Sequence, residues 1–389
     1  MRNIKIILLL MVLFINFCKK NNKELFIIPF DVFSWENQLI IEGITKEYIL
    51  PNYANLQKEA LNLKNNAQIF KDNPTIKNLK NWQNSLNKVY HFLTLLEPFY
   101  FGPANDPRTL FWNMYSWSFG KDPCFQSINC SISVESIING SSTIDQNYIN
   151  SLGILVKGIT ILEYLIFTDG GSSFTENQND QDILNSLTGR KLEYAVALSE
   201  NIYSNAYKIN EEWNSDFIFY FLNPSLTNPY YKSQLDILSE FNVQIIDQLS
   251  RIIDRKIGYP AGLSISSGGN KHLDKIESLY AKQSIVSIYN NLFTIFEIYN
   301  GDFNRRGLKH ILYRYDEELA DLFADEIYQL LLYFKEHKVK NHDIKFLIEN
   351  DYENLNDIYQ RIRNLRIFFS TDFVSSTGTN PGVGSSDGD

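Results

Sequence analysis

Apolar positions along this chain recur mostly three and four residues apart, the spacing of one helix face, and strand-like alternation is scarce. Ser34 can cap a helix, with Asn37 at the capping-box position, and the helical pattern runs on to Phe70 with an interruption at Pro51. Pro74 suits a first helical turn and opens a second helix to about Glu97. Pro98, Pro103, Pro107 and Pro123 then punctuate a long irregular connection through Cys130. A third helix is expected from near Thr143 to Phe167 and a fourth from Gln181 to about Trp213, separated by the polar loop Asp169 to Asp180. After the punctuated stretch FLNPSLTNPY the pattern repeats, with helices over about Lys232–Ile257, Leu273–Tyr299, Leu308–Glu336 and Asn341–Phe369. The expectation is an all-α protein of two four-helix-like bundles, residues 34–222 and 230–373, followed by a flexible Gly/Ser/Asp-rich tail, 374–389.

The run Ile154 to Phe167 is apolar on nearly every face, so its helix should be covered by others. Glu163 stands inside it. An ionised carboxylate in a dry core costs several kcal/mol, roughly, unless it is paired, coordinated or protonated. Something must meet Glu163. A buried Arg, Lys, Tyr or backbone group would make it structural, and a ligand would make it part of a site.

The start of the chain changes the picture. Arg2 and Lys5 precede an unbroken apolar segment, Ile6 to Ile15, too short to span a bilayer comfortably. Cys18 follows at once. The arrangement resembles a bacterial lipoprotein signal, with residues 1–17 as signal peptide, Cys18 as the lipidated first mature residue, and 18–33 as a tether. This implies an exported protein held by lipid in the cell envelope, on the periplasmic side or at the cell surface, in the inner or outer membrane. The other two cysteines, Cys124 and Cys130, are six apart, which in an exported protein suits a disulfide closing a small loop; an inert reduced pair is the alternative.

Composition adds limits. Of 389 residues, 44% are hydrophobic and 14% aromatic, which argues for packed cores rather than disorder. The formal charge of −9, with no basic stripe, speaks against nucleic-acid binding. There is no HExxH, no GxSxG, no phosphate-binding Gly loop and no dinucleotide fingerprint. The five histidines, His91, His272, His310, His337 and His342, include no i, i+4 pair. The acidic residues Glu317, Glu318, Asp321 and Asp325 read as a solvated helix face.

GITILEYLIF, Gly158 to Phe167, resembles the signature helix of the imelysin-like family, also known as the M75 peptidase family, whose usual form is Gly-x-His-x-x-Glu followed by Tyr-Leu-Leu-Phe. The resemblance extends over about Val32 to Phe373. EPFYFGPANDPRTLFW is similar to the family's FGP segment and Phe-Trp pair, here Phe101, Gly102, Pro103, Phe111 and Trp112. RKIGYPAG and KIESLYAKQSIVSIYNNL are similar to its second-half pattern, here Gly258, Pro260, Gly262, Glu277, Ser278 and Ser284. An Asp-Gly-Asp tail also fits. The resemblance implies two helical bundles related by internal duplication, with a ligand site between them.

The family His falls at Thr160 here. Thr160 and Glu163 are i and i+3 and can face one spot, but threonine is a poor ligand for the transition metals that imidazole suits. A zinc-activated water needs about three protein ligands and an open position, and these are not visible. The site residues implied are Gly158, Thr160, Glu163, Tyr164, Trp112, Glu277 and Ser284, with Glu163 as the candidate metal ligand and His272 or Asp106 as further donors. The leading expectation is a binding component in iron or haem uptake, with iron or another divalent metal as the implied cofactor and an uptake-system protein as a partner. The alternatives are an M75-type metallopeptidase and a non-catalytic surface adhesin or interaction module.

Overall fold

The computed structural model describes residues 34–105, 110–125, 130–170, 179–302 and 305–380. The leader, Cys18, Asp106 and the last residues of the tail lie outside the described residues. Contacts separate Met1–Glu36 from Asn37–Asp389. Of the first part, 34–36 are described, as the opening of a helix. The second is one compact unit, all-helical, whose extended pairing among the described residues is a single bridge, Gly301 to Arg306.

The main helices are α1 (Ser34–Gly43), α2 (Leu50–Asp72), α3 (Ile76–Leu96), α4 (Leu110–Tyr115), α5 (Ile159–Phe167), α6 (Gly189–Glu212), α7 (Gln234–Arg251), α8 (Ser284–Asn300), α9 (Glu317–Val339) and α10 (Tyr352–Ser370). Their sequences explain them. In α2, Tyr53, Leu56, Ala60, Leu63, Ala67 and Phe70 are buried at alternating steps of three and four, a single apolar stripe. Thr75 caps α3 by accepting from Asn78 N (3.2 Å). Ser233 and Asp236 form a capping box at the start of α7. Asp316 caps α9 through Leu319 N (2.9 Å). Helix α2 packs on α3 and α6, and α5 lies across α3 and α6; α8 packs on α9, α7 on α10, and α8 reaches back to α3.

Several expected boundaries are corrected. Pro51 does not break its helix. The chain passes through a π-helical segment, Ile44–Ile49, into α2 with Pro51 in the first turn. The wider turn accommodates a residue with no N–H whose ring would clash with the carbonyl four residues back. The helix expected over Thr143 to Phe167 is three pieces: Gln146–Ser151, a 3-10 turn at Ile154–Val156, and α5. Gly158, at φ +89, sets the last break, and a Cβ there would stand 2.6 Å from Met114 O. The helix expected from Gln181 is divided into Asp180–Ser186 and α6. The one expected from Leu273 begins only at Ser284, because Ser278 and Lys282 adopt left-handed φ of 50° and 55°. The last two are divided at Tyr313–Asp316 and at Asp351. Among the described residues no helix is long and apolar enough to cross a membrane.

Candidate functional site

Glu163 is 1% exposed. What meets it is backbone: Oε1 accepts from Tyr280 N (2.8 Å) and Ala281 N (3.0 Å), two amides 117 and 118 residues away. They are presented by the turn between Ser278 and Lys282, both in the left-handed conformation. Consecutive amides in such a turn form an anion-holding nest, and the backbone strain, ordinarily about 1–3 kcal/mol per residue, is concentrated at that spot. Burial raises the Glu163 carboxyl to about 7, although the Ala281 and Tyr280 amides and the nearby Ser278 hydroxyl pull the other way.

The carboxyl borders a cavity of about 120 Å³. Thr160 lines it from the preceding turn of α5, and Ser278, Leu279 and Tyr280 from the turn that holds Glu163. Trp117, Asp122, Pro123 and Phe125 supply another wall, and Asp274, Lys275 and Ile276 the rim. Cys124 and Cys130 are joined by a disulfide, and Cys124 N donates to Leu155 O (2.8 Å), which ties the Pro123–Phe125 wall to the approach to α5. Asp122 is bridged by Arg255 (2.8 Å) and Lys275 (3.3 Å). Burial would raise its carboxyl, but the two cations outweigh this and hold it below the usual range. The Arg255 guanidinium also lies 4.7 Å from the centre of the Trp117 ring.

Behind this wall is a second polar cluster with no exposure. Lys256 Nζ contacts Glu97 Oε2 (2.7 Å), Glu277 Oε1 (3.1 Å) and Ser287 Oγ (2.7 Å). Glu97 also accepts from Asn291 Nδ2 (2.7 Å) and from Ser118, whose neighbour Trp117 lines the cavity. Burial and the charge of Glu97 push the Glu277 carboxyl well above the carboxylate range, and burial lowers the Lys256 ammonium to about 8. Glu277 Oε2 is buried without a hydrogen bond of good geometry. One ammonium between two carboxyls favours a proton on the cluster, and the raised Glu277 carboxyl is the group that burial and Glu97 push toward its neutral form.

The sequence-derived site residues are placed as follows. Thr160 and Glu163 meet at the cavity, and Gly158 starts their helix. Tyr164 does not line it, but its ring packs on Phe125 (4.6 Å) and Tyr280 (5.8 Å), which do. Glu277 belongs to the closed Lys256 cluster. Ser284 opens α8, where its Oγ accepts from Ile344 N (2.9 Å). Trp112, on α4, stacks with Tyr100 (6.3 Å), away from the cavity lining. His272 stacks on Tyr259 (4.4 Å). Among the described residues no three His, Cys, Asp or Glu side chains converge as a metal site. Sequence reading passed over Trp117, Asp122, Phe125, Lys275 and Tyr280, and also the Glu97–Lys256 pair. Lys256 carried a usable signal, since the charged triplet Asp254, Arg255 and Lys256 interrupts the otherwise apolar segment IIDRKIGYPA.

Fold and site together define an all-helical protein whose small cavity is built on a buried glutamate from one half of the chain and a backbone nest from the other. The chain belongs to the imelysin family, the peptidase M75 group, whose family model matches residues 49–362. Its structure is similar to that of an imelysin-like protein from Psychrobacter arcticum, with 16% identity, a TM-score of 0.68, and coverage of 90% of this chain and 98% of the other. It is also similar to a "putative iron-regulated protein A precursor" from Parabacteroides distasonis, with 16% identity, a TM-score of 0.61, and coverage of 86% and 95%. Comparison with curated protein sequences returned no match.

Proposed function

We propose that this protein is a lipid-anchored binding component of the cell envelope, acting in iron acquisition, whose ligand enters the Glu163 cavity. One observation carries the reading. A titratable carboxyl, held on one oxygen by a strained nest, borders a cavity that no side chain among the described residues fills. Such an arrangement is costly for stability alone and useful for recognition. The cavity lies below the roughly 300–1,000 Å³ of pockets that enclose a whole small molecule. A haem or metal chelate would therefore insert one end rather than bury itself. Iron would arrive within its carrier, since Thr160 stands at the family's His position and Glu163 alone is a weak ligand set. Among the described residues no three-ligand, open zinc centre forms, which argues against zinc-assisted hydrolysis at the cavity. The name of one similar protein, an iron-regulated protein A precursor, supports a link to iron by analogy.

Metal content and calorimetric binding of ferrous, ferric, zinc and calcium ions, free and chelated, test this on the purified protein and on Glu163→Gln. Binding of an iron chelate that Glu163→Gln loses is expected. Chelate binding unaffected by the substitution would remove the cavity from the account. Anchoring is tested separately: Cys18→Ala should release the protein from the membrane fraction, and retention there would refute lipidation at Cys18.

A further inference from the structure

The oxygen atoms left over at the cavity specify the group that enters it. Among the described residues, the hydrogen bonds to Glu163 all fall on Oε1, and Oε2 accepts none. Ser278 Oγ is buried and makes no hydrogen bond of good geometry, although it lies close enough to influence the Glu163 carboxyl. Thr160 adds a third oxygen from the same helix face as Glu163, and all three residues line one cavity. The two hydroxyls can turn their lone pairs inward, so the set presents three acceptors to a single entrant.

The remaining walls suit a positive charge. Trp117, Phe125 and Tyr280 are aromatic, and ring faces attract cations. Asp122 in the wall and Asp274 at the rim add carboxylates. Arg255 and Lys275 are both drawn to Asp122, so these charges balance, and Glu163 is the charge that an entrant would meet. We propose that the cavity receives a primary ammonium group of a small ligand, with Glu163 as counter-ion and the Ser278 and Thr160 hydroxyls accepting its other N–H bonds. An ammonium has three donors and no acceptor, which matches the three oxygens. A carboxylate or phosphate would meet Glu163 with like charge, and a neutral alcohol would leave acceptors unsatisfied. This inference rests on the reading of the cavity as a ligand site and names the chemistry of what enters.

The test is calorimetric titration of the purified full-length protein at pH 8 with n-propylammonium chloride, 1-propanol and sodium propionate as probes. Propylammonium should bind at least about tenfold more tightly than propanol, and propionate should not bind. Glu163→Gln should weaken propylammonium by about tenfold or more, and Ser278→Ala and Thr160→Val by about three- to tenfold each. Circular dichroism and melting of each variant establish folding. If Glu163→Gln does not fold, the two hydroxyl variants decide the matter, and unchanged propylammonium binding in both overturns the proposal. Glu163-dependent binding of propanol or propionate, equal to or tighter than propylammonium, would keep the cavity as a site and refute the ammonium. Absence of binding by all three probes would refute the cavity reading itself, and the ammonium with it.

Discussion

Two buried carboxyl sites stand on either side of the Trp117–Ser118 segment, and they solve the same problem differently. The Glu97–Lys256–Glu277 cluster closes on itself. Its charges are met by one ammonium, two side-chain hydroxyls and an asparagine, and Lys256 has no exposure. Among the described residues Glu163 has no cation partner. Two amides hold one of its oxygens, and a cavity lies beside the carboxyl. A closed ionic cluster is an answer to desolvation. A carboxyl met on one side and left open on the other is an unfinished one, and that difference separates structure from recognition.

The largest expected effect comes from opening the closed cluster. Lys256→Ala leaves two carboxyls facing each other without a cation and should destabilise the protein by about 3–5 kcal/mol, read as a lower urea midpoint. A loss below about 1 kcal/mol would show that the cluster does not depend on its ammonium. Next is the helix start that aims Glu163. Gly158→Ala places a Cβ 2.6 Å from Met114 O at φ +89, and a cost of about 2–3 kcal/mol is expected. An unchanged melting temperature would mean that α5 can shift freely.

A pH titration sharpens the contrast. Glu163 is raised from 4.5 to about 7 in the folded protein, so between those values the native state binds more protons than the unfolded chain. Its contribution to stability is therefore fully present below about pH 4.5, declines as pH rises, and levels off above about 7. Glu277 shifts in the same direction. Asp122, Asp274 and Lys275 share the cavity and Tyr90 and Tyr280 sense the Glu163 charge. Glu163→Gln should flatten the decline of stability from pH 5 to 7 measured by urea unfolding, and an identical slope in the variant would show that Glu163 does not titrate there. The smallest effect is expected at Ser278→Ala. Removing a buried hydroxyl without a good partner should change stability by within about 0.5 kcal/mol. A loss above about 2 kcal/mol would mean that the hydroxyl is a structural bond to Glu163, not an acceptor kept for a ligand.

Much of this was legible in the chain. The three-and-four spacing of apolar residues gave the helices, since periodic burial is a local property of the sequence. Breaks inside the long apolar segments were missed because they depend on tertiary contacts. Gly158 bends the chain where Met114 O comes close, and Ser278 and Lys282 are held left-handed in a turn that local preference alone would continue as helix. The expected site residues also parted. Thr160 and Glu163 share a cavity, whereas Glu277 and Ser284, near neighbours in sequence of the Tyr280 nest, point into other surroundings.

By itself the sequence determined the all-helical class, the family, and the fact that a carboxyl inside an apolar helix must be met by something. The class and the carboxyl's need follow from periodicity and the cost of burying charge, and the family from the resemblance of GITILEYLIF and its companion segments to known motifs, none of which needs coordinates. Only the tertiary structure decided what meets it. The partners are backbone amides more than a hundred residues away, and a backbone N–H leaves no trace in residue identity. The tertiary structure also decided that Lys256 serves the closed cluster and that no cation among the described residues meets Glu163, because pairing in a core is set by which side chains the packed helices bring within reach.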